Sequence, residues 1–219
     1  MTLTLRNTRT GEREPFEPRD PDQVLLYFCG LTVSDDAHLG HARAWVQVDV
    51  MHRWLEAQGY TVRHVENFTD VNEKIVARTG ESDTPEDEAG VANHYITSII
   101  EDMRGLNLKR ATVYPRVSEH VPEIIDLIET LLDRDHAYEA HGSVYFDVDS
   151  FSDYGALSGQ DLSEMEPQGL EVERAEKRSP QDFALWKAGP VDAEAVAEHL
   201  NDDARGVKGG GQTWPAPWG

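Results

Sequence analysis

His38 and His41 stand either side of Gly40 at the start of a helical pattern, and no other spacing in the chain is better suited to chemistry. Unpaired amides and the positive end of the helix dipole favour an anion at such a terminus. Two imidazoles placed there can stabilise charge developing on a phosphoryl group. Gly40 lets a ligand approach the backbone closely. Upstream, Cys29 is the single cysteine of the chain and closes an apolar run. The plainer readings are a helix start with two surface histidines and a cysteine acting as a small buried hydrophobe.

The elements around these residues must hold them. Val24 to Cys29 is apolar without a polar break, which predicts a strand buried on both faces, as in a parallel sheet. Asp35 and Asp36 are turn formers and candidate helix caps. From His41 to Gln58 the pattern is helical, with Ala42, Trp45, Val46, Val50, Trp54 and Leu55 on the packed face and Gly59 at the end. Thr61 to Glu66 alternates and predicts a second strand. Strand, helix and strand joined by a right-handed crossover make half of a nucleotide-binding sheet, so the expected class is α/β. The stretch Asn67 to Ile75 leaves the carboxyl end of the second strand, where ligands bind in open sheets of this kind. Its bland reading is a helix capped by Thr69 or Asp70, with Glu73 answering as in a capping box.

Elsewhere the pattern is architectural. Leu3, Leu5 and Phe16 suggest edge-strand contacts in a polar N-terminal stretch, and residues 81–89 read as acidic surface. Val91, Tyr95, Ile99 and Met103 share a helix face that Gly105 closes. Ser118 is the expected cap of a long helix with Pro122 in its first turn and Val121, Ile124, Ile125, Ile128, Leu131 and Leu132 as its buried stripe. Tyr138 to Ala140 and Val144 to Val148 flank His141 and Gly142 as a hairpin. Phe183, Leu185 and Trp186 are expected to pack, while Lys187 could reach RNA or a neighbouring acid. The end holds Gly209, Gly210 and Gly211, then a Trp-Pro-Ala-Pro-Trp-Gly run with nothing to tie it down.

Several of these stretches resemble one family. Cys29-Gly30, Thr32, Asp35, His38-Leu39-Gly40-His41 and Ala42-Arg43 resemble the nucleotide loop of class I aminoacyl-tRNA synthetases, and more narrowly the cysteinyl-tRNA synthetase family, where Cys-Gly-Pro-Thr-Val-Tyr-Asp leads into His-Ile-Gly-His. Asn67 to Ile75 is similar to that family's Asn-Ile-Thr-Asp-x-Asp-Asp-Lys-Ile, with Asn72 and Glu73 replacing two aspartates. Phe151 to Gln160 and Lys177 to Lys187 match further segments. The resemblance implies a Rossmann-like nucleotide-binding parallel sheet, of which residues 1–115 form the first half, a connective α+β insertion over 116–179, and a return over 180–219. It implies ATP-dependent activation of cysteine to cysteinyl-adenylate, with Mg2+ accompanying ATP, and transfer to tRNA(Cys) in the cytoplasm.

By the same resemblance His38 and His41 are catalytic and, with Thr32 and Gly40, bind ATP. Cys29, Gly30 and Thr69 hold the cysteine substrate, and Cys29 is one of four ligands to zinc. Zinc prefers thiolate to hydroxyl, which would separate cysteine from serine without editing. The family's later Gly-Trp-His-Ile-Glu-Cys, His-x-x-x-Glu and Lys-Met-Ser-Lys-Ser segments are absent. The chain is therefore expected to be a truncated front portion, inactive alone, weak or lacking in zinc binding, and prone to self-association. The alternatives are a ligase that passes the same adenylate to an amino-sugar, and a non-catalytic nucleotide-binding fragment.

Composition sets the outer bounds. A chain of 219 residues with 39% hydrophobic content can bury a core, and one cysteine cannot form an internal disulfide, which suits a reducing compartment. No apolar stretch is long enough for a membrane span, and the N-terminus has no secretory pattern. The net charge of -21, from 41 acidic against 20 basic residues, opposes a nucleic-acid partner in dilute buffer. The acids are dispersed, and arginines outnumber lysines 15 to five, a balance expected of a salt-loving source. At molar salt the Debye length falls to about 3 Å, which suppresses both self-repulsion and repulsion of RNA. Stability is accordingly predicted to rise steeply from dilute buffer to molar KCl. A melting temperature that stays flat or falls over that range would contradict the salt-adapted reading.

Overall fold

A computed structural model describes residues 3–79, 85, 87–159, 176–189, 214 and 216–218. Most of the acidic stretch expected at 81–89, the polar stretch over 160–175 and the triglycine at 209–211 lie outside those residues. In chain order the elements are strands β1 (Thr4–Arg6), β2 (Arg13–Pro15) and β3 (Gln23–Phe28), helix α1 (Leu39–Ala57), strand β4 (Thr61–Glu66), helices α2 (Glu73–Arg78), α3 (Glu88–Gly105) and α4 (Val121–Asp133), and strands β5 (Ala137–Ala140), β6 (Ser143–Phe146) and β7 (Phe183–Trp186). Contacts divide the chain into a unit spanning Glu17–His120 and a unit of Met1–Phe16 with Val121–Gly219.

In the first unit β3 and β4 pair in parallel, from Gln23 opposite Thr61 to Phe28 opposite Glu66. Parallel neighbours need a crossover, and α1 supplies it, as the alternating patterns predict. A third extended stretch lies along the other side of β4. Thr112 N donates to His64 O at 2.8 Å, Glu66 N to Val113 O at 3.2 Å, and Phe68 N to Pro115 O at 2.9 Å. Parallel bridges join Val65 with Val113 and Phe68 with Arg116. The expected parallel strand–helix–strand half-sheet is thus formed.

Burial follows the pleat. Val24 on β3 and Val62, His64 and Glu66 on β4 are buried, and His64 and Glu66 line a small cavity with Trp45 of α1 and Met103 of α3. On the opposite face Leu25 is 70% and Tyr27 65% exposed. The expectation that β3 is covered on both faces is therefore corrected: among the described residues only one face has a layer packed on it, and period-two alternation decides which side chains reach it. A similar correction applies to α1. Trp45, His52 and Leu55 are buried, but Val46 and Val50 are exposed at 42% and 60%. On this helix a histidine takes a core position that the apolar pattern gave to valine.

Local signals set most boundaries. The α1 terminus closes with Tyr60 N donating to Leu55 O (3.2 Å) and Gly59 N to Glu56 O (2.8 Å), the double bond of a Schellman motif, and Gly59 supplies the positive φ of 97° that it needs. Val91, Tyr95, Ile99 and Met103 of α3 are all buried, as their spacing predicts. The helix α2 is capped by Asn72, whose side chain accepts from Lys74 N at 3.0 Å, and not by Thr69 or Asp70. Asp70 is engaged elsewhere. Its carboxylate accepts from Ser118 N and Ser118 Oγ, and so holds the single turn over Val117–Glu119. Ser118 is therefore tied to Asp70, and α4 begins three residues later.

In the second unit α4 buries Val121, Ile125 and Ile128. Ile124, Leu131, Leu132, Leu185, Trp186 and Trp218 pack with Ile128, Ala137 and Val144. The β5–β6 hairpin turns through His141 and Gly142, both with positive φ, as the primed two-residue turns require. Strand β7 adds to β6, which gives Leu185 and Trp186 their packing role. Asp182, only 1% exposed, ties this unit together by accepting from Tyr138 OH (2.7 Å), Val148 N (3.0 Å) and Ser179 N (3.0 Å).

The core of the first unit is polar where α1 meets β4. His52 and His64 meet edge to face at 5.4 Å, and His64 has no hydrogen-bond partner on either ring nitrogen. Burial, and then His52, depress the His64 pKa, which keeps His64 from charging. Glu66, 3% exposed, accepts from Trp45 Nε1 at 2.9 Å, and burial pushes its pKa up to about 7. A folded-state pKa above the unfolded one contributes stability that is full below the unfolded value and is lost as pH rises through the folded value. Glu66→Gln keeps an acceptor for Trp45 and removes that loss. Urea unfolding is predicted to give the variant and wild type similar stability near pH 4.5, with the variant gaining roughly 3 kcal/mol by pH 8. A variant that is no more stable than wild type at pH 8 would overturn the assignment.

Candidate active site at the start of α1

The carboxyl ends of β3 and β4 and the first turn of α1 meet at one edge of the parallel sheet. Cys29, directly after β3, is exposed, and its thiol donates weakly to Gly30 O at 3.9 Å. At Gly30 no side chain fits, since a Cβ would lie 1.6 Å from Asn67 O. Past β4, Asn67 Oδ1 accepts from Gly30 N (3.1 Å) and Tyr27 OH (2.9 Å), while its Nδ2 donates to Thr69 Oγ1 (3.1 Å). The backbones rejoin one step on. Thr69 N donates to Leu31 O at 2.9 Å and Val33 N to Thr69 O at 3.2 Å, so Thr32 and Thr69 are bridge partners. Val33, fully buried, anchors the loop in the core.

The loop then runs to α1. Asp35 pairs with Arg78 of α2, and Asp36 accepts from Ser98 Oγ of α3 at 2.7 Å, so neither aspartate caps the helix as expected. His38 does so instead. Its Nδ1 accepts from Gly40 N at 3.1 Å, and His38 N donates to His41 Nδ1 at 3.2 Å, a reciprocal capping box built from two imidazoles. The rings stack at 3.7 Å between centroids, 16° from parallel. A Cβ at Gly40 would sit 2.8 Å from His38 Cε1, so the glycine also makes room for this stack.

The cap fixes a chemical state. Each Nδ1 is occupied as an acceptor, so in the neutral ring the proton sits on Nε2 and is available as a donor. Burial and the neighbouring His38 hold the His41 pKa below its ordinary value, which favours that neutral form. No residue of the first turn is acidic. The helix start thus carries amides, the positive dipole end and two imidazole donors, a combination suited to a phosphate.

Two groups of the residues singled out in the sequence are brought together: Gly30, Thr32 and Thr69 through the loop ladder, and His38, Gly40 and His41 through the cap. Three further residues were given no individual role by the sequence. Asn67 links Gly30 to Thr69. Trp45 packs beside His41 with ring centroids 6.2 Å apart, and Glu66 holds the Trp45 indole. Their signal lay in placement, a polar residue directly after a strand and an acid on the buried face of an alternating one.

Residues 15–199 match the model of the tRNA synthetases class I (C) catalytic domain. Over the whole chain the sequence is 64% identical to a cysteine–tRNA ligase of Halobacterium salinarum and 63% identical to one of Haloarcula marismortui, covering 44% of each relative. It is 43% identical to a cysteine–tRNA ligase of Pyrococcus horikoshii, again along its full length and over 42% of that protein. The chain therefore spans less than half the length of these curated relatives. The chain belongs to the class I tRNA synthetases, in the branch whose members are named cysteine–tRNA ligase.

Proposed function

We propose that this chain carries the ATP- and cysteine-facing portion of a cysteine–tRNA ligase. The cysteine carboxylate attacks the α-phosphate of ATP, forming cysteinyl-adenylate and releasing pyrophosphate, and a hydroxyl of the terminal ribose of tRNA(Cys) then takes the acyl group with release of AMP. The stacked His38–His41 cap is the observation that carries this reading, because it presents two Nε2–H donors at a helix start. In the transition state negative charge grows on the phosphoryl oxygens, and preorganised donors stabilise that charge more than they stabilise the ground state. Mg2+ accompanies ATP and neutralises part of its charge. Thr32 and Gly40 belong to the ATP side and Cys29, Gly30 and Thr69 to the cysteine side.

Zinc needs more donors than this edge supplies. Among the described residues no three or more His, Cys, Asp and Glu side chains form a group able to hold a metal, and Cys29 offers a single thiol. They do not make a zinc site by themselves, and no step of the adenylation passes through one. Cys29 is proposed as one ligand of a site whose other donors are not among the described residues.

The sequence-based division is retained as part of the proposal, with residues 1–115 as the first half of the catalytic domain, 116–179 as the connective insertion and 180–219 as the return. The partners are ATP, cysteine and tRNA(Cys), and the location is the cytoplasm, a reading the family supports. No described helix is long and apolar enough to cross a membrane. Self-association is proposed on the grounds that β3 has β4 on one side and no strand on the other among the described residues. The salt-adapted reading gains support from the two halophile relatives.

The test is cysteine-dependent ATP–pyrophosphate exchange by the intact gene product. His38→Ala or His41→Ala is predicted to lower exchange by about 10² or more while the protein stays folded. Exchange within a few-fold of wild type in both folded variants would remove the basis of the reading.

A further inference from the structure

We propose that Asn67 is a positioning residue that holds Cys29 and Gly30 in register with Thr69 and thereby sets the cysteine subsite. The inference rests on the reading of this edge as a cysteine site and gives a role there to a further residue. The β3–β4 ladder ends at Phe28 opposite Glu66, and backbone bonding resumes only where Thr69 N meets Leu31 O. Between them lie Cys29, Gly30, Asn67 and Phe68, outside the β3–β4 ladder, with Phe68 bridging Arg116 on the other side. The Asn67 amide spans that gap. Its oxygen receives Gly30 N and Tyr27 OH, and its nitrogen reaches Thr69 Oγ1. One planar group therefore fixes Tyr27 ahead of Cys29, Gly30 directly after it, and the hydroxyl of Thr69.

The contact leaves little slack, because Gly30 already lies against the Asn67 carbonyl so closely that no Cβ could be accommodated. An amide is well matched to the task. It offers an acceptor for two donors and a donor for the threonine oxygen, which leaves the Thr69 hydroxyl hydrogen available to a ligand. The group is uncharged, so it adds no net charge beside the adjacent phosphate site.

Two measurements on the intact gene product test this, with Asn67→Ala, Asn67→Gln and Asn67→Asp as variants. Hydrogen exchange of peptides covering residues 28–32 reads the clamp itself. Removing the Gly30 acceptor is expected to speed exchange there about fivefold or more, with the rest of the unit unchanged. Pyrophosphate exchange reads the substrate consequence. The KM for cysteine is expected to rise about 10-fold or more while the KM for ATP moves less than about twofold. Asn67→Gln, displaced by a methylene, should behave like Asn67→Ala, and where one of them folds poorly the other carries the test. Asn67→Asp keeps acceptors for Gly30 and Tyr27 and accepts the Thr69 hydroxyl in turn, so it should restore slow exchange. Unchanged exchange over 28–32 in folded variants would overturn the clamp, and equal rises in both KM values would overturn its link to cysteine. A wild-type protein without cysteine-dependent activity overturns the functional reading instead, and the clamp is then still judged by hydrogen exchange.

Discussion

Two parallel strands cannot be joined by a turn, and that constraint arranges the candidate site in this chain. Because β3 and β4 run the same way, the chain must return along the sheet through a helix, and α1 is that return. The geometry then brings the carboxyl ends of both strands to the same edge as the first turn of α1. Cys29 and Gly30 follow one strand, Asn67 and Thr69 follow the other, and His38 to His41 start the helix. None of these residues is near another in sequence across the two loops, yet all are delivered to one edge by a single topological requirement.

The same edge solves a backbone problem and a chemical one with the same groups. A helix start leaves amides unpaired, and the common answer is a serine, threonine, aspartate or asparagine cap. Here imidazoles provide the cap. A carboxylate cap would place negative charge at the proposed phosphate site, whereas His38 and His41 satisfy two amides through Nδ1 and leave Nε2–H free to donate. The partial burial of His41 against Trp45, itself held by Glu66, ties the cap to the core of the unit. The His38–His41 cap thus touches Trp45, whose indole is held by Glu66 on the same strand as His64.

That polar interior and the acidic exterior have different physical origins. Outside, charges are exposed and answer to salt, and pairs such as Lys109 with Glu56 contribute little each. Inside, Glu66 is shielded from salt and answers to pH, because burial penalises its carboxylate form. The uncovered face of β3, with Leu25 and Tyr27 open, is a third case: an apolar surface on a parallel strand of the type that in α/β proteins has layers on both sides.

The sequence by itself determined what depends on near neighbours. The crossover unit follows from the change of apolar period, the end of α1 from Gly59, the hairpin from His141–Gly142, the α3 face from the spacing of Val91, Tyr95, Ile99 and Met103, and the histidine pair from its position at a helix start. All of these are decided within a few residues, by φ preference, capping or periodicity. The tertiary structure decided the rest. Hydropathy could not tell that Val46 and Val50 face outward while His52 is buried, because the helix face is chosen by what α1 packs against. The caps differ from the local expectation for the same reason. Asp35, Asp36, Asp70 and Ser118 each have a capping side chain, but Arg78, Ser98 or one another lie within reach in the fold, and a distant partner competes with the local amide. Asn67 acquires its role only when two loops separated by about 40 positions are brought together, since a hydrogen bond forms with whatever the fold places about 3 Å away.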